Sequence, residues 1–370
     1  MKILCLSQSL GSGGAERQLT GLAVMLKNLG YEVVVITYSK NEFYKPLLVE
    51  NGVEYKCIDK ALSKIRRLPE LFKTLKKYSP DVVISYEDGP NFVSCLSRIW
   101  GRKFKLIVSE RNTNQNVKLT LRDIIKFNLY RKADYVVCNS FTQTNYIDNY
   151  FPVLAKNLLT ITNFTDTNVF FPAKSIFNEN TIQCICVGRI VPQKNVHLFI
   201  NAIGMLKEKG YTLKIRWYGN IVYSDPYSKI CLDLIKENNL QEIFIFKRPT
   251  KKIQEEYQKS DLFCLPSLHE GYPNVLCEAM SSGLPVLCSN ISDNPMLIET
   301  GVNGFIFDPN DKNEIVNSFI KFFSLSELDK KQIGIANRSK ALSIFSKEVF
   351  LKKYLKLIDP LNNNLNNKMI

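Results

Sequence analysis

Residues 181–210 read TIQCICVGRIVPQKNVHLFINAIGMLKEKG, and this stretch decides the fold. Its first part, Thr181–Val187, is a short apolar run of the kind that forms a buried strand. A glycine turn begins at Gly188, and apolar residues then recur at helical spacing over His197–Lys209, before the natural helix C-cap Gly210. The stretch therefore predicts a strand, a tight turn and a helix.

The same order of elements occurs at the start of the chain. Lys2–Gln8 predicts a strand, a turn rich in glycine follows at Gly11–Gly14, and Ala15–Leu29 predicts a helix that ends at Gly30. Further strands are predicted at Glu32–Tyr38, Asp81–Ser85, Lys105–Ser109, Tyr135–Cys138, Thr212–Tyr218, Ile243–Phe246, Leu262–Leu265 and Val286–Cys288. Strands that alternate with helices indicate parallel sheets covered by helices on both faces.

Two successive sheets, with a restart near residue 181, predict an α/β fold of two Rossmann-like, doubly wound domains. The length of 370 residues agrees, because one hydrophobic core rarely fills so long a chain. We predict the domains at residues 1–165 and 166–345, and a final helix with a frayed, asparagine-rich tail at 346–370. Open parallel sheets bind ligands beyond the carboxyl ends of their strands, so two such domains facing each other across a cleft suit a reaction between two substrates.

The formal net charge of +14 favours anionic partners. Its densest cluster, Lys64–Lys77, has leucines and Phe72 between the cations at helical spacing. The cluster is either the solvated face of a surface helix or a contact with an anionic membrane. Nucleic-acid binding is not expected, since the sequence shows no helix-turn-helix, zinc-finger or RNA-binding signature.

The ten cysteines form no CxxC pair, and two histidines are too few to complete a zinc site with them. Most of these cysteines sit in strand-like apolar runs, so reduced, buried thiols are the expected state. The N-terminal apolar run is too short to span a membrane and lacks a signal-peptide cleavage site. We therefore expect a cytoplasmic protein. If the basic cluster contacts an anionic membrane, we expect the protein to bind peripherally at the inner face of the cell membrane.

Two glycine turns are candidate phosphate-binding loops. The first, with Gly13 and Gly14, follows a strand and opens a helix, although close strand-to-helix packing alone could also explain its glycines. In the second, Gly188 frees the backbone while Arg189 and Lys194 place two cations where both could reach one diphosphate.

The segment LPSLHEGYPNVLCEAMSSGLPV at residues 265–286 carries the most specific signal. A strand ends at Pro266, a loop follows, and a helix begins near Pro273 or Asn274, so its first N–H groups would face an anion. Glu270 in the loop and Glu278 in the helix can accept hydrogen bonds from sugar hydroxyls. A phosphate-binding helix terminus beside two carboxylates predicts a nucleotide-sugar site.

These motifs resemble glycosyltransferase family 4, a large retaining family with the B-type twin-Rossmann fold (GT-B). The resemblance rests on GGAE near the start, VGRIVPQKN, and the paired glutamates of HEGYPNVLCEAMSSGLPV, and it covers essentially the whole chain. Residues 109–112 read SERN, which resembles a variant seen in members that build bacterial surface polysaccharides and lipid-linked oligosaccharides.

The resemblance implies a role for each residue of the motifs. Arg189 and Lys194 would hold the donor diphosphate and stabilise its departure, Glu270 would contact the transferred sugar, and these three would be the catalytic residues. Glu278 would bind the ribose hydroxyls. The remaining donor-binding residues would be Gly13, Gly14, Gly188, Gly271, Tyr272, Pro273, Asn274 and Val275. The final helix, Ser346–Ile358, would cross back onto the first domain.

The resemblance implies that Glu110, Arg111 and Asn112 lie on the acceptor side of the site. Many relatives carry a histidine after the fourth strand of the first domain, and we expect Glu110 and Asn112 to stand there instead. No protein nucleophile is needed for transfer with retention, because the departing diphosphate oxygen can take the acceptor proton. Since the sequence has no D-x-D motif, we expect no bound metal and no cofactor, the nucleotide sugar being a substrate.

The expected reaction transfers a hexosyl or N-acetylhexosaminyl group from a nucleotide sugar, with UDP favoured, to a glycan acceptor. We expect this acceptor to be lipid-linked, in capsule, O-antigen or glycoprotein-glycan assembly. Two alternatives are a scaffold that binds sugar nucleotides without catalysis and a nucleotide-sugar epimerase on the same fold. The intact set of Arg189, Lys194, Glu270 and Glu278 argues against the scaffold, and the family segment argues against the epimerase.

Overall fold

The computed structural model describes residues 1–58, 64–101, 103–111, 119–173 and 181–360, with the backbone alone for residues 64–67. The chain forms two compact units. The first comprises Met1–Phe164 together with the chain from Glu348 onward, and the second comprises Thr165–Lys347. The frayed tail predicted beyond residue 360 lies outside the described residues, as does part of the predicted linker, 174–180.

Within the described residues, the first unit contains one seven-stranded parallel sheet of order β3-β2-β1-β4-β5-β6-β7. Its strands are β1 (Lys2–Leu6), β2 (Glu32–Thr37), β3 (Glu54–Cys57), β4 (Val82–Tyr86), β5 (Lys105–Glu110), β6 (Tyr135–Cys138) and β7 (Leu158–Thr160). Its helices are α1 (Gly14–Asn28), α2 (Lys45–Glu50), α3 (Lys64–Tyr78), α4 (Asp88–Ile99), α5 (Leu121–Tyr130) and α6 (Phe141–Tyr150).

The second unit contains one six-stranded parallel sheet of order β10-β9-β8-β11-β12-β13, again within the described residues. Its strands are β8 (Ile182–Val187), β9 (Leu213–Tyr218), β10 (Phe244–Lys247), β11 (Leu262–Leu265), β12 (Val286–Ser289) and β13 (Gly304–Phe307). Its helices are α7 (Val196–Glu208), α8 (Pro226–Glu237), α9 (Ile253–Gln258), α10 (Asn274–Ser281), α11 (Asn294–Leu297), α12 (Lys312–Phe323) and α13 (Glu327–Phe345).

The predicted α/β class with two Rossmann-like sheets is confirmed. In each unit, buried apolar side chains on both faces of the sheet pack against helices, which explains why the central strands read as continuous apolar runs. Three short strands, β3, β7 and β13, were not predicted, and all three lie at sheet edges.

The last helix, α14 (Lys347–Ile358), packs on the first unit, as predicted. Its apolar face joins the core on one side of the first sheet through Phe350, Leu351, Tyr354 and their neighbours. The Tyr354 hydroxyl lies 2.8 Å from the Tyr86 hydroxyl at the end of β4. The first unit is therefore completed by residues that follow the second unit in sequence.

The basic cluster forms α3, a helix with one face in the core. Leu71 and Leu75 are buried, whereas Lys73, Lys76 and Lys77 are exposed. The side chains of Lys64, Arg66 and Arg67 lie outside the described residues. The described part of the helix is an amphipathic surface helix with its cations in solvent.

All ten cysteines are free, and nine of them are buried. Burial raises the pKa of the Cys5 and Cys95 thiols to about 12 and that of Cys264 to about 11, so these thiols stay protonated at neutral pH. Among the residues that the structure describes, no helix has the length and apolarity needed to cross a bilayer.

Candidate functional site

The second sheet has its topological switch point between β8 and β11. From β8 the chain moves to β9 on one side, and β11 later pairs with β8 on the other side. Ligands bind at such points, because the loops that leave the two strands diverge and open a crevice. Here those loops are residues 188–195, after β8, and residues 266–273, after β11.

Lys194 and Glu270 meet at this switch point. The Lys194 ammonium forms an ion pair with Glu270 Oε1, and both side chains are largely buried, with 13% and 10% of their surfaces exposed. The Ser267 hydroxyl also donates to Glu270 Oε1, at 2.7 Å. The pair thus holds a cation and a carboxylate together in a partly desolvated position at the end of the sheet.

Backbone contacts fix the two loops to each other. The amide of Leu268 donates to the Gln193 carbonyl at 2.9 Å, and the Gln193 side-chain amide donates to the His269 carbonyl at 3.0 Å. On the far side, the Ser292 hydroxyl donates to the Glu270 carbonyl at 2.5 Å. Hydrogen bonds to the carboxylate and to the backbone carbonyl of Glu270 therefore fix the position of this residue.

Gly188 makes room for the lysine. A Cβ atom built on Gly188 would lie 3.2 Å from Cε of Lys194, which is a crowded contact for an alkyl chain. Asn195, next to the lysine, adopts the left-handed conformation at φ 55° and donates from its side chain to the Pro309 carbonyl at 2.7 Å. Arg189 is exposed and forms no ion pair within the described residues, so its guanidinium is available to a ligand.

Glu278 lies in α10, which begins at Asn274 as predicted, with Pro273 at the N-cap position. No side chain caps this helix, so its positive N-terminal end faces the loop that carries Gly271 and Tyr272. The Glu278 carboxylate is 4% exposed and accepts a hydrogen bond from the Tyr257 hydroxyl at 3.3 Å. That hydroxyl also lies 3.2 Å from the Val275 carbonyl, which ties the carboxylate to the first turn of the helix.

The first sheet has its own switch point, between β1 and β4. Gly13 is the N-cap residue of α1 and Gly14 its first residue. A Cβ atom built on Gly13 would lie 2.2 Å from Oε2 of Glu16, so glycine lets the Glu16 carboxylate fold back over the turn. The Ser9 hydroxyl donates to the other oxygen of this carboxylate at 3.1 Å. Packing of the Glu16 side chain therefore accounts for glycine at position 13, whether or not the turn also approaches a ligand.

The other side of this switch point is formed by Glu87, which sequence reasoning missed. Lys105–Glu110 is the fifth strand, not the fourth, because the short edge strand β3 precedes β4 in the chain. The residue that follows the fourth strand is therefore Glu87 rather than Glu110, and the expectation for that position is corrected. Its backbone has φ 74°, unusual for a residue with a side chain, and its amide donates to the Ser109 carbonyl at 3.0 Å.

The pKa of Glu87 is raised to about 7. Burial is the main cause, and repulsion from Glu16, Asp88 and Glu110 adds to it, while Arg111 acts in the opposite direction. A carboxyl group that titrates near neutral pH, in a strained conformation at a switch point, is typical of a functional position.

Glu110 and Arg111 are held inside the first unit. The Glu110 carboxylate is fully buried and pairs with the Lys126 ammonium at 2.9 Å. The Arg111 guanidinium donates to Asn163 at 3.1 Å and to the Tyr354 hydroxyl at 2.8 Å, and it stacks 4.0 Å from the centre of the Tyr86 ring. Both side chains have packing roles here, and their acceptor-side role stays a prediction. Asn112 lies outside the described residues.

Neither the two histidines nor a group of metal-binding side chains adds to the site among the described residues. His197 lies in α7, where its Nδ1 is 2.8 Å from the Tyr227 hydroxyl, and burial lowers its pKa. His269 uses its carbonyl to hold Gln193. No cluster of three or more histidine, cysteine, aspartate or glutamate side chains with metal-binding geometry occurs in the described part of the chain.

We expect Glu87→Gln to change how stability depends on pH. Because the folded-state pKa of about 7 exceeds the unfolded value near 4.5, ionisation of Glu87 opposes folding as pH rises through this window, and below it the effect vanishes. The variant should melt at nearly the same temperature as the wild type near pH 4.5 and several degrees higher at pH 8. Thermal unfolding across this pH range measures the effect, and a melting difference that does not vary with pH would contradict it.

Comparison with protein families now adds to this geometry. The family model for glycosyl transferases group 1 matches residues 169–339, and the model for glycosyltransferase family 4 matches residues 12–169. The two models meet at residue 169 and together account for residues 12–339. The chain is a family 4 glycosyltransferase.

Curated relatives cover most of the enzyme. The amylovoran biosynthesis glycosyltransferase AmsD of Erwinia amylovora is 26% identical over 360 residues, which is 95% of this chain and 98% of AmsD. An N-acetylgalactosaminyltransferase of Campylobacter jejuni, named for its action on N-acetylgalactosamine-N,N'-diacetylbacillosaminyl-diphospho-undecaprenol, is 28% identical over 297 residues, 76% of this chain and 79% of the relative.

Solved structures agree on the fold. The structure of Anabaena Alr3699/HepE in complex with UDP matches with a TM-score of 0.84 at 20% identity, over 98% of this chain and 100% of the other. A glycosyltransferase from Rickettsia africae matches with the same TM-score at 19% identity, over 98% and 99% of the two chains. The enzyme therefore has the GT-B fold.

Proposed function

We propose that this glycosyltransferase moves a hexosyl or N-acetylhexosaminyl group from a UDP-sugar to a lipid-linked glycan, with retention at the anomeric carbon, during assembly of a bacterial surface polysaccharide or a glycoprotein glycan. The observation that carries the proposal is the Lys194–Glu270 pair at the second switch point. It joins a cation suited to a diphosphate and a carboxylate suited to a sugar hydroxyl.

The donor would bind the second unit. Arg189, exposed after β8, and Lys194 would hold the diphosphate, and the uncapped N-terminus of α10 would add its positive end. Glu270 would release Lys194 to the phosphate and turn to the transferred sugar. Glu278, positioned by Tyr257, would accept hydrogen bonds from the ribose. Backbone groups of Gly271–Val275 would cradle the sugar.

The chemistry needs charge stabilisation more than a nucleophile. As the glycosidic bond breaks, negative charge grows on the diphosphate, and preorganised cations lower the energy of that state more than that of the bound donor. The departing oxygen would take the proton of the acceptor hydroxyl on the same face of the sugar. Neither metal nor cofactor is part of this proposal.

The acceptor would bind the first unit, near the carboxyl ends of β4 and β5. Glu87 occupies the position after the fourth strand and would orient the acceptor hydroxyl, since a carboxyl group with a pKa of about 7 can accept or donate a hydrogen bond near neutral pH. Glu110 would act through Lys126, with which it forms an ion pair.

The choice of UDP and of a lipid-linked acceptor draws on similar proteins. Anabaena Alr3699/HepE was solved with UDP, and one Escherichia coli relative, 29% identical over 147 residues, is named as a UDP-Gal:alpha-D-GlcNAc-diphosphoundecaprenol alpha-1,3-galactosyltransferase. The SERN segment and the basic α3 helix favour the same class of acceptor. On this proposal the enzyme works in the cytoplasm, at the inner face of the cell membrane.

Thermal-shift titration with UDP, GDP and ADP tests the donor site. We expect UDP to raise the melting temperature, because a ligand at a hundred times its dissociation constant stabilises a fold by about 2.7 kcal/mol. Arg189→Ala and Glu278→Ala should each reduce this shift to less than half of the wild-type value.

An exposed cation of the same unit outside the site, Lys321, provides the control, and Lys321→Ala should respond as the wild type does. Since Glu278 is buried, circular dichroism must show that its variant is folded before the titration is interpreted. A wild-type protein that none of the three nucleotides stabilises would contradict the proposed donor site.

A further inference from the structure

The first unit contains a cavity that neither the family assignment nor the proposed donor site explains. It has a volume of about 560 Å³ and lies between the first turns of α4 and the length of α5. This volume falls within the ~300–1,000 Å³ typical of sites for small ligands. Its walls include Asp88, Phe92, Leu121, Arg122, Ile125 and Lys126.

The mouth of the cavity is apolar and exposed. Leu121 and Ile125, one turn apart on α5, have 73% and 55% of their surfaces exposed, and Phe92 on α4 has 41%. Side chains of this size usually lie in a core, and three of them around one cavity leave an apolar surface in water. An apolar ligand that entered the cavity would remove that surface from water.

The charged groups of the cavity are already paired within the described residues. Asp88 forms ion pairs with Arg122 and Lys126, and Lys126 also pairs with Glu110. Two cations thus face two carboxylates, so the cavity offers no surplus charge for an anionic group. Apolar walls above paired charges favour a neutral hydrocarbon over a phosphate or a sugar.

The cavity also lies beside the acceptor end of the sheet. Asp88 directly follows Glu87, and Lys126 reaches from the cavity to Glu110 at the end of β5. A ligand whose apolar part filled the cavity would have its polar part at the carboxyl ends of β4 and β5.

We propose that this cavity binds the hydrocarbon chain of the lipid-linked acceptor, an isoprenoid of which the first units enter between α4 and α5. The proposal rests on the proposed function, because it names the part of the acceptor that this site takes.

Calorimetric titration of the full chain with farnesyl phosphate, below its micellar concentration, tests the proposal. Butyl phosphate carries the same head group on a short chain and should bind at least tenfold more weakly. Leu121→Gln should weaken farnesyl phosphate binding at least fivefold. Ile125→Trp should abolish it, because the indole fills the cavity while the surface stays apolar.

The matched control is Leu328→Gln, a similarly exposed leucine on α13 of the second unit, which should bind farnesyl phosphate as the wild type does. Equal binding of the two phosphates, or wild-type binding by Ile125→Trp, overturns the proposal. Sedimentation with phosphatidylcholine–phosphatidylglycerol vesicles adds a second arm. If wild type and Ile125→Trp both sediment with the vesicles to the same extent, and neither binds farnesyl phosphate, the surface contacts a bilayer and the proposal is wrong.

The UDP thermal shift, measured on the same samples, separates the two proposals. A shift that persists in Leu121→Gln and Ile125→Trp shows that their loss of farnesyl phosphate binding is local, which supports the cavity assignment. If UDP fails to stabilise the wild type while farnesyl phosphate still binds, the proposed donor fails and the hydrocarbon site stands.

Discussion

Lys194→Met is expected to reduce the rate constant of sugar transfer by roughly 10²- to 10³-fold, the effect of removing one preorganised group that stabilises developing negative charge. Methionine keeps the unbranched stem that lies against Gly188 and removes the ammonium that pairs with Glu270. Steady-state kinetics with a UDP-sugar, following UDP release, measures the change. The loss should appear in kcat more than in KM, since the charge that Lys194 stabilises grows only as the bond breaks.

The same substitution should also destabilise the fold, by as much as ~3–5 kcal/mol, because removing one partner of a buried ion pair leaves the other charge uncompensated. The double variant Lys194→Met/Glu270→Gln separates this effect from catalysis. Without the unpaired carboxylate it should recover most of the lost stability while remaining inactive. A Lys194→Met enzyme that keeps a third or more of the wild-type rate would contradict the role given to the lysine.

Much of the fold could be predicted from the central strands. Runs such as Lys2–Leu6 and Ile182–Val187 are apolar because both faces of a parallel sheet are covered, and glycines mark the ends of the helices that follow. The three missed strands, β3, β7 and β13, have three or four residues each and lie at sheet edges. An edge strand pairs on one side only, and four residues such as EYKC are too few to show a period.

The sequence predicted which residues form the candidate site, but not which of them are in contact. The glycine turn and the glutamate-containing segment suggested Lys194 and Glu270 separately, but the two residues are 76 positions apart in the chain. Only the pairing of β8 with β11 brings their loops together. Glu87 was missed for a related reason. Because β3 was not predicted, Glu110 was assigned to the position after the fourth strand. Glu87 itself lies in the segment SYEDG, which contains no motif that would single it out.

The two switch points use similar geometry for different chemistry. In the second unit, the carboxylate of Glu270 is paired with the ammonium of Lys194. In the first unit, Glu87 lies among other carboxyl groups, and its pKa rises to about 7. A carboxylate paired with a cation beside the proposed donor and a titrating carboxyl group beside the proposed acceptor fit the proposed division of roles, since the acceptor hydroxyl is the group that loses a proton.

Phe350→Ala is expected to lower stability by about 3–5 kcal/mol, because a large aromatic side chain would be lost from a packed core. Phe350 is 1% exposed in α14, and its ring centre lies 5.0 Å from that of Phe164 and 4.9 Å from that of Tyr354. Since each kcal/mol shifts the melting temperature of a domain of 150–250 residues by about 2–4 °C, the variant should melt about 6–20 °C lower.

Lys352→Ala, an exposed position on the same helix, should change the melting temperature by less than about 2 °C and serves as the control. Differential scanning calorimetry of wild type and both variants measures the shifts. The UDP shift should survive in Phe350→Ala below its melting temperature, because the proposed donor site lies in the other unit. If Phe350→Ala melts with the wild type, α14 does not complete the core of the first unit, and the buried ring contacts of Phe350 would have no energetic consequence.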